Sequence, residues 1–309
     1  MQISKLAVLL VTNAIFVMLW PGVVPAADYK TITLDPTYDH DRFKTKVTGL
    51  QDRTLGNHLR KFRAYITLFD GKDDDNRDGE PDFLGIPHFV AYEIKQIDRP
   101  LAKGPPRPSS WITDKELSRQ GIAPSDATYR YSKAFLTANK NWYVRGHLAM
   151  KHHAWRLGRN ADWNTHTMLN AVPQRQNFNA GIWLDLEKKT ATWADKFGRV
   201  WIIAGPIFEP QKNTPTKWLG EKVKGEMLIA IPDRLFKIVV KESEDGSIDT
   251  LAFIFPQDAP RGAPYDHKPY MTSIDIIEKK TGLDFLTALP DATEKKIEKR
   301  KTEELWPDK

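Results

Sequence analysis

No cysteine occurs anywhere in this 309-residue chain. Disulfides, thiolate zinc sites and a cysteine nucleophile are therefore excluded together, and any metal must be held by oxygen or imidazole ligands. The fold must stand on its apolar core. A hydrophobic fraction of 40% supports one large domain or two small ones.

The first residues read as an export signal. Lys5 is the only charge before Asp28, an apolar run from Leu6 to Trp20 follows it, and Pro21-Gly22 breaks that run before the small residues of Val24-Pro25-Ala26-Ala27. A retained anchor is the competing reading, but the run is short and interrupted by Thr12 and Asn13. We expect a periplasmic or secreted protein with residues 1–27 as signal peptide, 28–60 as a polar lead-in, 61–291 as the main domain and 292–309 as a charged tail that frays or forms an exposed helix.

The net charge is +6, and it is unevenly placed. Between Lys140 and Asn179 stand six basic residues, Lys140, Arg145, Lys151, Arg156, Arg159 and Arg175, against the single acid Asp162. Such a stretch fits either a polyanion-binding surface or a solvated basic face. Tyr65–Phe69 and His88–Lys95 alternate and read as strands, Arg199–Ile207, Leu235–Val240 and Thr250–Phe255 read as buried strands, Asn177–Lys188 has helical spacing, and Ser273–Leu289 reads as an amphipathic helix or helix pair. Strict βαβ alternation is missing, so we expect an α+β fold around a mixed, mainly antiparallel sheet.

In Tyr143-Val144-Arg145-Gly146-His147, strand alternation puts Arg145 and His147 on one face and Val144 with Leu148 on the other, toward a core. A guanidinium suits phosphate oxygens, and a neutral imidazole can take a proton from water. Alone, the tripeptide fits a stray Arg and a core His better. Downstream, Asn179, Trp183 and Glu187 are spaced i, i+4, i+8, which puts them on one helical face but separates the outer pair by about 12 Å along the axis. Both could serve one ion only if one of them acted through water.

Together these blocks resemble the DNA/RNA non-specific endonucleases of the ββα-metal type, which include endonuclease G and secreted bacterial nucleases. Arg145-Gly146-His147-Leu148-Ala149 is similar to the family's Asp-Arg-Gly-His signature except at its first position, where Val144 stands. Asn170-Ala171-Val172-Pro173-Gln174, Asn179 to Trp183, and Glu187 match its second block; Phe89 to Tyr92, Gly205 to Phe208, and Glu278 with Thr281-Gly282-Leu283 also fit. The resemblance implies a ββα-metal site with His147 as general base and Asn179 as the direct protein ligand of Mg²⁺, for which Mn²⁺ can substitute. Glu187 would act on the ion through water, and Asn170 would orient His147. Arg145, Arg107 and Trp183 would contact the substrate, DNA or RNA. Val144 opens the alternative of a catalytically weak relative that only binds nucleic acid. We expect an active enzyme, because a residue on the opposite face cannot reach the reacting atoms.

Asp74, Asn76, Asp78 and Asp82 resemble the start of a calcium loop, although position twelve is Gly85 rather than the closing Glu; a solvated acidic loop is the other reading. His152 and His153 lack metal-ligand spacing and read as basic-face or packing residues, while the role of His166 is open.

Overall fold

The computed structural model describes residues 35–47, 59–71, 84–129, 142–212, 214–220, 227–259 and 262–308. The expected signal peptide, Lys140 and the acidic loop with Asp74, Asn76, Asp78 and Asp82 lie outside these residues.

The expected strand segments build one sheet of seven strands. In chain order these are β1 (Leu59–Phe62), β2 (Tyr65–Asp70) and β3 (Ile86–Lys95), then, after a separate hairpin of β4 (Tyr143–His147) and β5 (Ala171–Arg175), β6 (Arg199–Ile207), β7 (Arg234–Glu242), β8 (Ile248–Pro256) and β9 (Met271–Thr272). Their order across the sheet is β9-β8-β7-β6-β3-β2-β1, with every pair antiparallel. The α+β expectation therefore holds.

Both faces of the sheet are covered, and the two-residue period of the strands sorts side chains between them. Tyr92, Ile202, Val239 and Leu251 go to one core, with Leu186 of the helix α3 (Leu184–Phe197) and Trp183 just before it. Ala91, Ile203, Ile238 and Ala252 go to the other, with Ile274 and Ile277 of α4 (Ile274–Thr281) and Ile297 of α5 (Asp291–Lys299). At the sheet centre β6 approaches β3 so closely that a Cβ on Gly205 would stand 2.4 Å from the His88 carbonyl. Glycine is the residue that allows this approach.

The β4–β5 hairpin sits on the α3 side. Its strands are joined by α1 (Lys151–Trp155) and α2 (Arg159–Asn164), and α3 follows β5, which completes a β-β-α unit. Both ends of the chain depart from their expected polarity. Phe43 and Val47, in the polar lead-in, are buried in the second core, and Lys46–Val47 pairs with Leu283–Asp284. The tail forms a helix whose Ile297 and Glu298 are buried rather than exposed, and beyond it Trp306 is buried edge-on against Trp193 at 5.3 Å, with its Nε1 donating to Asp249. Aromatic burial outweighs the surrounding charge there.

Candidate active site

The hairpin and the start of α3 enclose a cleft of about 460 Å³ whose lining includes Arg107, Val144, Arg145, His147, Asn179 and Glu187. Three segments far apart in sequence, 104–111, 144–155 and 176–187, thus deliver one concave, polar surface.

His147 ends β4, paired with Ala171. It is 8% exposed, and its Nε2 has no hydrogen-bond partner. The Trp111 ring lies 4.4 Å away and the His166 ring 5.1 Å away, the latter nearly perpendicular. Burial holds the His147 imidazole well below its ordinary pKa of 6.5, and His166, Arg107, Lys151 and Arg145 add to the effect. The ring is therefore neutral at physiological pH.

Asn170 reaches this histidine only through the backbone. Its amide accepts from the Ala149 N–H at 2.8 Å and donates to the Ala149 and Thr165 carbonyls, both at 2.9 Å. It fixes the turn that leaves His147 and does not touch the ring. Gly146 is packed under Gln174, whose Oε1 would lie 2.1 Å from an added Cβ.

Arg145 lies beside His147 and is ion-paired with Asp126. Its guanidinium stands over the Trp111 ring at 5.4 Å. Arg107, in the loop whose prolines are Pro105, Pro106 and Pro108, reaches the cleft from the other side. Val144 differs from its expectation. It is half-buried and lines the same cleft as Arg145 and His147, because the cleft wraps around the edge of the two-stranded hairpin.

The helix expected over 177–188 is not regular. A short turn, Gln176–Phe178, leads into a widened turn, Asn179–Trp183, before α3 begins at Leu184. Gly181 breaks the helical dihedrals with φ −107° and ψ −119°. The regular rise does not apply across that interruption, and Asn179 and Glu187 both line the cleft. Widened turns of this kind recur at functional positions in helices.

Glu187 is 5% exposed, and its Oε1 has no hydrogen-bond partner. Burial pushes its pKa up to about 7 against the opposing pull of Lys237. Lys237, on β7, is fully buried; its Nζ lies 3.7 Å from Glu187 Oε1 and 3.8 Å from the centre of the Trp183 ring. Desolvation lowers the lysine to about 8, against the pull of Glu187. Trp183 itself is 0% exposed, so the expected substrate contact is not available to it. Helical spacing put it on the Asn179–Glu187 face, but the indole turns inward and carries the buried ammonium. Below Glu187, its own carbonyl pairs with His153 Nε2 at 3.0 Å, so His153 is a packing residue.

Asp126, Lys237 and Trp111 are not among the site residues expected from the sequence. Lys237 did leave a signal: it interrupts the apolar run Leu235–Val240 at a position whose strand neighbours are all buried. Asp126 opens a short 3-10 turn and Trp111 lies in a loop, and neither has a periodicity to mark it.

A family model for DNA/RNA non-specific endonucleases matches residues 77–292. The chain belongs to that family. The nuclease of Serratia marcescens is 30% identical over 208 residues, 66% of this chain and 70% of its own length. Zebrafish (Danio rerio) mitochondrial nuclease EXOG is 31% identical over 154 residues, 48% of this chain, and bovine (Bos taurus) mitochondrial endonuclease G is 27% identical over 185 residues, 58% of this chain. The chain spans 44% of the EXOG protein and 60% of the bovine one. A crystal structure of an EndoG/EndoGI complex superimposes with a TM-score of 0.61 at 19% identity, covering 81% of this chain and 91% of that one. That likeness is one of fold. Among the described residues, no helix is long and apolar enough to cross a membrane.

Proposed function

We propose that this member of the family is an exported, metal-dependent endonuclease that hydrolyses phosphodiester bonds in DNA and RNA with little sequence preference. One observation carries the reading: a neutral, buried imidazole with an unpartnered Nε2 shares a cleft with an amide, a buried carboxylate and two guanidiniums. Export rests on the N-terminal apolar run.

Asn179 and Glu187, which both line the cleft, offer the hard oxygen donors that suit a hydrated Mg²⁺. Asn179 would hold the ion directly and Glu187 through water, with Mn²⁺ an alternative. The bound cation would supply charge stabilisation to the leaving oxygen. The neutral His147 imidazole takes the proton from the attacking water. Arg145 and Arg107 hold the phosphate in line; Arg145 exchanges Asp126 for substrate, and Trp111 keeps its guanidinium in place. Asn170 positions His147 by fixing the turn behind it.

Digestion of plasmid DNA and of RNA, with Mg²⁺ and with EDTA, tests this. Wild type should cut both polymers only with the metal. His147→Ala should lose at least about two orders of magnitude in turnover while still binding DNA. Near-normal cleavage by that variant would remove His147 as the base.

A further inference from the structure

On the sheet face opposite the cleft, five carboxylates converge where α4, the Leu283–Asp284 segment and α5 meet. One oxygen from each of Asp275, Glu278 and Glu298 lies within 4.8 Å of the others, and the same holds for Asp284, Glu294 and Glu298. Two oxygens bound to one calcium ion at the usual 2.3–2.6 Å can be at most about 5 Å apart. Each triad therefore fits a single coordination sphere, and Glu298 belongs to both.

Acidic clusters are common on surfaces, so the state of Glu298 decides the matter. It is 5% exposed, and its Oε1 has no hydrogen-bond partner. A buried carboxylate oxygen with no donor, among four like charges, needs either a proton or a cation. Among the described residues, no lysine or arginine forms an ion pair with any of the five acids. Lys46, opposite Asp284 in the strand pair, is exposed. Glu278 has one oxygen committed to the Phe285 N–H at 2.8 Å. Burial, the neighbouring Glu278 and Glu294 and a carboxyl–carboxylate hydrogen bond with Glu278 push Glu298 up to about 8, so without a cation a proton shared with Glu278 neutralises the pair.

We propose that this seam is a calcium-class divalent-cation site, with Glu298 as the shared ligand, that clips α5 to α4. All its donors are carboxylate oxygens, which suits a hard ion with flexible coordination rather than zinc or copper. None of the five acids lines the catalytic cleft. The site would be structural, and it stands whether or not the proposed hydrolysis is correct.

The test is thermal melting of the full chain at constant Mg²⁺, with and without millimolar CaCl₂, for wild type, Glu298→Gln and Asp284→Asn. Wild type should gain roughly 5–10 °C at about one hundred times Kd. Glu298→Gln keeps the shape but removes the shared charge; it should melt higher than wild type without calcium and gain about 1 °C or less with it. Asp284→Asn, nearer the surface, should fold normally and bind calcium at least about tenfold more weakly. A flat wild-type response would mean that protons rather than a cation neutralise the cluster. An undiminished calcium increment in both variants would put the ion elsewhere, in the cleft or at Asp74–Asp82. Either result overturns the proposal.

Discussion

His147 and Glu187 are shifted in opposite directions by the same cause, burial. The imidazole is lowered, so it stays neutral, and able to accept a proton, as pH falls past 6.5. The carboxylate is raised to about 7, so below that pH it holds a proton that a cation must displace. The two requirements separate in the pH profile. With saturating Mg²⁺ the acid limb of kcat/KM should fall below pH 6.5; with limiting Mg²⁺ it should move up toward about 7. A limb fixed at one pH under both conditions would remove Glu187 from the metal's surroundings. Lys237 adds a second prediction at this scale. Lys237→Met leaves Glu187 buried without its counter-charge and raises its pKa further. A group raised on folding loses stability as pH climbs through its folded pKa. Urea unfolding should therefore show a loss of about 2–3 kcal/mol at pH 8 and clearly less at pH 6. Equal losses at both would mean that Lys237 acts by packing alone.

The ββα unit aligns the chemistry through elements that are individually slight. The hairpin has only five residues in each strand, and Gly146 is the point where its backbone passes under Gln174. Gln174 is fully buried and cannot swing away. Gly146→Ala should therefore cost about 1–3 kcal/mol, the usual range for overpacking, and lower turnover more than its melting shift explains, because the strain lies one residue from His147. Side-by-side melting curves and single-turnover rates check this. At this scale much was legible in the sequence: β3 lies where alternation put it, β6, β7 and β8 lie where the apolar runs put them, and Arg145, His147, Asn179 and Glu187 line one cleft. What escaped has physical reasons. Regular helical geometry could not foresee the turn that Gly181 widens, so the 12 Å separation expected for Asn179 and Glu187 does not apply. Nor could periodicity tell that Trp183 faces inward, since a helical face is polar or apolar only relative to its neighbours. The alternation rule misplaced Val144 because a two-stranded ribbon is narrow enough for the cleft to wrap its edge.

Charge is the property that only the whole molecule settles. In sequence, residues 140–179 carry six cations and one acid, which reads as a broad basic surface. In the fold, Arg145 pairs with Asp126, Lys151 with Asp162 at 2.7 Å and Arg156 with Asp195 at 2.7 Å. Two of those three acids come from outside the stretch. Among the described residues, Arg107, Arg159 and Arg175 carry no such pair, and Arg107 lines the cleft. Each phosphate neutralised on B-DNA contributes about −0.9 to the slope of log K against log salt. About six unpaired cations would give a slope near −5, and about three would give one near −3. We expect the shallower value for binding by His147→Ala, which retains the cations but does not cut. The affinity should be nearly independent of sequence, because phosphate contacts carry no base information. Arg107→Ala in that background should weaken binding to every duplex alike and lower the slope by about one. Titrations of two unrelated duplexes across a range of NaCl concentrations read both effects. A slope near −5 would mean that the ion pairs open to release their arginines and lysines to DNA, and the paired cations would then count as part of the binding surface.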